Sequence, residues 1–256
     1  MRPLELLAIL ASGAGAGAMN ALAGGGTILT FPTLLLLGLP ATVANATSTV
    51  ALVPGAAASM AGYRREVATH REWLGTLMLP SLIGGSAGSL LLLATPDRIF
   101  ARLAPWLILF ATALFLLQMR LAKRRPAAGE DAPPPKPGRA AGAWLAQLGV
   151  AFYGGYFGAG IGILMLVILG ALGLRDIHAM NGLKNFFGIC INSVAALIFL
   201  IGGAVDLPVA GLMLAGAVAG GYAGARFGRS IGQARARGAV VIIGLGLALI
   251  LFLQQF

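Results

Sequence analysis

Of its 256 residues, 58% are hydrophobic and only 10% are charged, and the mean hydropathy is +0.89. Soluble proteins are about 45 to 50% apolar and 25% charged, so this chain cannot build a water-soluble surface. Each bilayer crossing needs about 20 residues, which leaves no room for a separate soluble enzyme domain. The formal charge of +10 does not indicate nucleic-acid binding, because Lys and Arg stand in short clusters between apolar runs, as they do in cytoplasmic loops of membrane proteins.

Apolar stretches follow one another along the chain, separated by charges and by Gly or Pro. Five come before a polar, basic and proline-rich segment, and five come after it. They run at residues 4–23, 26–38, 42–62, 73–94, 98–121, 141–158, 160–172, 177–202, 206–225 and 236–254. The pattern predicts an all-α integral membrane protein with an N-terminal membrane repeat (1–122), a cytoplasmic linker (123–140) and a C-terminal membrane repeat (141–256).

Two glycine-rich segments interrupt the apolar pattern at matching places in the two halves. They cover residues 21–32 and 153–164, and a Gly-Leu pair follows each of them at an offset of 135 residues, at 38–39 and 173–174. Because glycine costs about 1 kcal/mol in a helix relative to alanine, each segment is predicted to break the helix. The elements that follow would span only about 20 Å against about 30 Å of hydrocarbon, so we predict glycine-broken short helices at the first and second elements of each half.

An odd number of elements in each half predicts that the two repeats are inverted relative to each other. With the linker in the cytoplasm, Arg2, Arg98 and Arg102 face outside and Lys184 lies within the membrane, which leaves 14 of the 18 Lys and Arg on the cytoplasmic side. Because cytoplasmic loops carry such an excess of positive charge, we expect a multi-pass protein with both termini outside.

Inverted repeats with glycine-interrupted short helices point to a transporter's binding site near the bilayer midplane. The N-terminus of a short helix has unpaired N–H groups and about half a positive charge, which favours an anion. Thr49, Asn185 and Asn192 are polar residues within the apolar elements that lie near the predicted site. The predicted substrate-binding residues are Asn20, Gly24, Gly25, Gly26, Thr47, Ser48, Gly158, Gly160, Asn181 and Lys184.

Each of these features also has a purely structural interpretation. Amides and hydroxyls form helix–helix hydrogen bonds worth about 0.6 kcal/mol, and a lysine side chain can extend to the membrane interface. Other glycines are predicted to allow close helix packing rather than to bind a ligand. They are Gly13, Gly15, Gly17, Gly84, Gly85, Gly88, Gly216, Gly220 and Gly224.

Other kinds of site lack their residues in this sequence. His70 and His178 lie outside the apolar interiors, and no acidic residue lies inside one, so neither a metal site nor a carboxylate proton relay is expected. Ser48 and Ser193 have no partner base in the membrane, so we do not predict an enzyme. Without a phosphate-binding P-loop or any other cofactor motif, transport would be passive or coupled to a proton or another ion.

The stretch AGGGTILTFPTLLLLGLPATVANATS, residues 23–48, resembles the N-terminal signature of the TauE/SafE family of sulfite exporters, in which a glycine run, a proline, a Gly-Leu-Pro turn and Ala-x-Ala-Thr-Ser follow in order. FYGGYFGAGIGIL (152–164) and HAMNGLKN (178–185) are similar to its second-half signature, whose asparagine and lysine fall on Asn181 and Lys184. The resemblance implies a permease of the bacterial inner membrane that moves sulfite, sulfoacetate or a related sulfur-containing anion, commonly as an exporter. The resemblance is also compatible with a homodimer.

Three hypotheses therefore stand. The first is a secondary transporter whose two halves alternate access to a central anion site. The second is a permease for another small anion, or for a cation or metal, and the latter predicts intramembrane carboxylates or histidines. The third is a membrane partner protein that transports nothing, for which replacement of Lys184 would have no effect.

Overall fold

A computed structural model describes residues 2–22, 25–61, 64–122, 137–231 and 233–255, which form eleven helices and no strand. The helices are α1 (Pro3–Leu22), α2 (Thr27–Leu36), α3 (Ala41–Ala61), α4 (Arg64–Thr69), α5 (Arg71–Ala94), α6 (Asp97–Ala122), α7 (Pro137–Tyr156), α8 (Ile161–Ala171), α9 (Ile177–Ile201), α10 (Leu207–Ile231) and α11 (Gln233–Gln255). Ten of them coincide with the predicted apolar stretches, which confirms the all-α prediction. The short helix α4 was not predicted.

The exterior of this helix bundle is apolar. Among the described residues, three helices are long and apolar enough to cross a membrane, Arg71–Ala94, Asp97–Leu117 and Ile177–Ile201. Large apolar side chains, among them Leu79, Trp106 and Ile242, are more than half exposed. Such a surface is unfavourable in water, whereas hydrocarbon tails solvate it. The protein is therefore an integral membrane protein, while the number of crossings and the inverted orientation of the halves stay predictions.

The two halves share one succession of helices. α1, α2, α3, α5 and α6 correspond to α7, α8, α9, α10 and α11, which begin 134 to 136 residues later. Their packing is reciprocal, because α1 packs most extensively on α10 and α7 on α5, while α3 packs against α9 and α6 against α11. Exchanging the two halves leaves this scheme unchanged, as a two-fold relation between them requires.

The predicted boundary between the halves differs from the observed helix ends in one respect. α7 begins at Pro137, inside the segment 123–140 predicted as linker. Proline suits the first position of a helix, because its φ is already helical and its missing N–H would have no partner there. Residues 123–136 lie outside the described part of the chain, and the division into two membrane repeats and a linker stays a prediction.

Glycines form the contact surfaces between the helices that pack most extensively. A Cβ built on Gly13 or Gly17 of α1 would collide with carbonyl oxygens of α10. A Cβ built on Gly216 or Gly220 of α10 would likewise collide with carbonyl oxygens of α1. The α5–α7 interface repeats this arrangement. Close packing is thereby confirmed for Gly13, Gly17, Gly84, Gly88, Gly216 and Gly220. A Cβ on Gly15 would instead lie against the Leu29 side chain, and a Cβ on Gly85 against Ile191. The packing around Gly224 lies outside the part of the chain that the structure describes.

We predict that Gly220→Ala lowers the apparent melting temperature of the detergent-solubilised protein. The added methyl would meet the Ala14 carbonyl, and overpacking of this kind costs about 1 to 3 kcal/mol. Gly211 on the same helix is the matched control, because a Cβ there meets nothing within 4 Å. Gly211→Ala should leave the melting temperature unchanged or raise it, since alanine is the better helix former. Equal melting temperatures for both variants would contradict the close contact.

Candidate functional site

Two helix breaks lie at equivalent places in the two halves, as predicted. The first separates Leu22, the end of α1, from Thr27, the start of α2, and the second separates α7 from α8 at residues 157–160. Gly25 has φ of +91° and Gly160, at an offset of 135 residues, has φ of +82°. Only glycine adopts such backbone angles without strain, so both breaks depend on it. Gly24 lies outside the described residues.

Side chains satisfy the irregular backbone at both breaks. Asn20 accepts a hydrogen bond from the Gly26 N–H at its Oδ1, at 2.8 Å. At the second break, the Tyr153 hydroxyl donates to the Ala159 carbonyl, also at 2.8 Å, and Asn45 of α3 donates through Nδ2 to the carbonyl of Tyr156, at 3.2 Å. Because hydrocarbon offers no partner to exposed backbone groups, these bonds are what allow breaks within a membrane protein.

A cavity of about 130 Å³ lies between the two breaks and the middle of α3 and α9. Its lining combines backbone at glycines, neutral donors, one lysine and an apolar wall. The glycines are Gly25, Gly26, Gly158, Gly160, Gly162 and Gly188, the polar residues are Asn20, Thr27, Thr49, Lys184, Asn185 and Asn192, and the apolar residues are Leu52, Val53, Ala56, Phe115, Ile161, Ile163, Leu166 and Ile189.

Both short helices begin at this cavity. Gly26 precedes α2 and Gly160 precedes α8, and neither helix has a side-chain cap on its first turn. The first N–H groups of a helix have no acceptor within it, and the aligned peptide dipoles add about half a positive charge at that end. Two such ends and Lys184 lie at one cavity whose described lining contains no carboxylate, an arrangement that favours negative charge.

Lys184 reaches the cavity across the first turn of α8. A Cβ built on Gly162 would lie 3.1 Å from Cδ of Lys184. The methylene groups of the lysine therefore pack directly on Gly162, where the absence of a side chain leaves room for them. In the first half, the positions equivalent to Lys184 and Gly162 hold Thr49 and Thr27, which also line the cavity. The two repeats therefore contribute equivalent positions to one site, but only the second contributes a charge.

The structure brings most of the predicted site residues together. Asn20, Gly25, Gly26, Gly158, Gly160 and Lys184 line the cavity. Thr47, Ser48 and Asn181 are not among the residues that line it. The Thr47 hydroxyl oxygen accepts from the Asp206 N–H at 3.0 Å, and Ser48 is hydrogen-bonded to Thr30 of α2. The positions of Thr47 and Ser48 give them a structural role between helices, and the predicted binding role of these three residues stays a prediction.

Several lining residues were absent from the predicted set. Thr49, Asn185 and Asn192 were noted as polar residues within their elements but not placed in the site. A helical wheel would have found Asn192, because it lies eight residues after Lys184 on the same face of α9. The repeat offset would have found Thr49 and Thr27. No signal in the sequence marks Phe115, which is one of many apolar residues in α6.

We predict that Gly188→Leu blocks transport while the protein stays folded. A Cβ on Gly188 meets nothing within 4 Å, so a larger side chain there extends into the cavity rather than into a neighbouring helix. Gly211→Leu, also in open space but on α10, is the matched control. If the wild type takes up labelled sulfite into proteoliposomes, that uptake should fall at least tenfold for the first variant only. Full uptake by Gly188→Leu would show that ligands do not use this cavity.

Comparison with known proteins gives a consistent result along nearly the whole chain. The family model described as sulfite exporter TauE/SafE matches residues 9–251. A probable membrane transporter protein of Haemophilus influenzae is 29% identical over 244 residues, which cover 94% of this chain and 92% of that protein. The probable membrane transporter protein YfcA of Escherichia coli K12 is 28% identical over 89% of this chain and 82% of its own length. A probable membrane transporter protein of Sinorhizobium, ORF9, is 27% identical over 91% and 87%. No solved structure matches.

Proposed function

Since this chain belongs to the sulfite exporter TauE/SafE family, we propose that this membrane permease carries a small sulfur-containing anion, sulfite or an organosulfonate such as sulfoacetate, through the cavity between its two breaks. One observation carries the proposal: the first turns of α2 and α8 both line a cavity that also contains Lys184. Two helix ends and an ammonium group of the same sign select for negative charge.

The donors around the cavity suit an oxyanion. Thr27 and Gly162 belong to the first turns of α2 and α8, directly before Ile28 and Ile163, whose N–H groups donate to the Gly25 and Gly160 carbonyls. The N–H groups at the very start of a helix have no acceptor inside it. Asn185 and Asn192 add amide N–H groups, and the Thr49 hydroxyl can donate as well. Several neutral donors bind an oxyanion without a fixed ion pair at each oxygen, so the anion can also leave. Lys184 then supplies the one full charge, as a point charge with three donors.

A cation is the less favourable ligand at this place. The described lining contains no carboxylate and no histidine, and the two helix ends and Lys184 would all repel positive charge. A buried cation would therefore lack compensation, and an uncompensated buried charge is costly.

The reciprocal packing of the halves supports alternating access. The breaks belong to opposite halves, while α1 and α7 are each held by a helix of the other half. Movement of the α1–α10 pair against the α5–α7 pair would shift the two breaks relative to each other and keep both close helix interfaces intact. We propose that the protein crosses the bacterial inner membrane several times and exports its anion in this way, passively or coupled to a proton or another ion.

The test is uptake of ³⁵S-labelled sulfite and of sulfoacetate into proteoliposomes of the purified protein. We expect saturable flux of at least one of them, and a fall of roughly 10- to 100-fold in Lys184→Met, because a hydrogen bond to a charged group contributes about 1.5 to 3 kcal/mol. Lys184→Arg, which keeps the charge, should retain more flux than Lys184→Met.

Arg102→Met is the control for loss of one positive charge, because Arg102 is exposed on α6, away from the cavity. It should transport like the wild type. Absence of saturable flux for both anions from folded protein would contradict the proposed substrate class. Unchanged flux in Lys184→Met would contradict an anion site at Lys184 and would favour the hypothesis of a permease with another site.

A further inference from the structure

Phe115 of α6 occupies a position that the anion chemistry does not explain. Its side chain is 1% exposed, and its ring edge lies against the first break, because a Cβ on Gly25 would collide with Cζ and lie 2.7 Å from Cε2. The ring also lines the cavity, together with Lys184 and Asn20. It therefore fills space directly beside the proposed path of the ligand.

The neighbouring residues of α6 contact the other break but do not line the cavity. A Cβ on Gly160 would lie 3.3 Å from Cδ1 of Leu114 and 3.5 Å from Cα of Ala111. α6 thus touches both breaks, and Phe115 is the residue through which it lines the cavity. Leu114, next in the chain and also buried, provides a natural comparison.

The second half has no such ring. The positions equivalent to Phe115, at offsets of 135 and 136 residues, are Ile250 and Leu251 of α11, and neither is aromatic or part of the cavity lining. A ring that was only a requirement of the repeat would be expected in both halves. Phe115 is instead a single large apolar side chain added to a wall that also contains Leu52 and Val53.

We propose that Phe115 sets the upper size limit for the organic group of the transported anion. The inference rests on the proposed function and extends it to selectivity. With the ring present, a cavity of about 130 Å³ leaves room for an oxyanion head and a short substituent. Removal of a buried ring opens apolar space at the wall, and apolar cavities of about 150 Å³ are known to admit benzene. An aryl group should therefore enter only when the ring is shortened.

The experiment compares sulfite with benzenesulfonate in proteoliposomes. Benzenesulfonate should not inhibit sulfite uptake by the wild type at concentrations where unlabelled sulfite does. In Phe115→Ala, its half-inhibitory concentration should fall at least tenfold, and labelled benzenesulfonate should itself be taken up. Leu114→Ala removes a buried apolar side chain from the same turn of α6 and should keep the wild-type selectivity. Phe115→Leu removes less of the side chain and should show a smaller gain in benzenesulfonate binding and uptake. It replaces Phe115→Ala in the experiment if that variant does not fold.

The outcomes separate this inference from the proposed function. If Phe115→Ala and Phe115→Leu take up sulfite but still exclude benzenesulfonate, the size limit lies elsewhere and the inference is overturned. Transport of benzenesulfonate by the wild type, or an equal gain in Leu114→Ala, overturns it as well. Failure of the folded wild type to move any sulfur oxyanion contradicts the proposed function, and the size limit with it.

Discussion

Backbone hydrogen bonding inside a bilayer is the constraint on which this structure depends. Hydrocarbon offers no partner to an N–H or C=O group, so a chain that leaves the helical conformation there must find partners within the protein or in an enclosed aqueous space. The first break uses Asn20, and the second uses Tyr153 and Asn45. Thr27 and Gly162, in the first turns of α2 and α8, line one cavity, and we propose that a bound oxyanion accepts from N–H groups there.

The rest of the fold holds the two breaks next to each other. Glycine-lined contacts bring α1 against α10 and α7 against α5 so closely that a methyl group would not fit at several positions. Phe31 of α2 packs edge-to-face on Phe157 in the second break, with ring centroids 5.3 Å apart. Close helix contacts of this kind replace the hydrophobic effect, which does not drive helices together in lipid. These contacts position the starts of α2 and α8 at the cavity.

Hydropathy and glycine clustering predicted the ten long or short apolar helices and both breaks, because bilayer thickness and glycine's helix cost act locally on the sequence. The repeat offset also held, since α2 and α8, and α3 and α9, begin within one residue of it. The sequence did not show which polar residues face the cavity. Thr47 pairs with the Asp206 N–H, 159 residues away, and such a partner depends on tertiary packing that no local pattern encodes. Phe115 was missed for a related reason: in a uniformly apolar helix, a ring that faces a cavity and a ring that faces lipid look the same.

We propose that the starts of two equivalent short helices, α2 and α8, create one anion site. Selenite is a close analogue of sulfite, and its selenium can be located by anomalous diffraction from crystals of the unlabelled protein. We predict a selenium peak between the first turns of α2 and α8, with selenite oxygens about 3 Å from the Gly162 N–H and the Lys184 ammonium group. A peak confined to another part of the protein, with this cavity free of selenium, would contradict it.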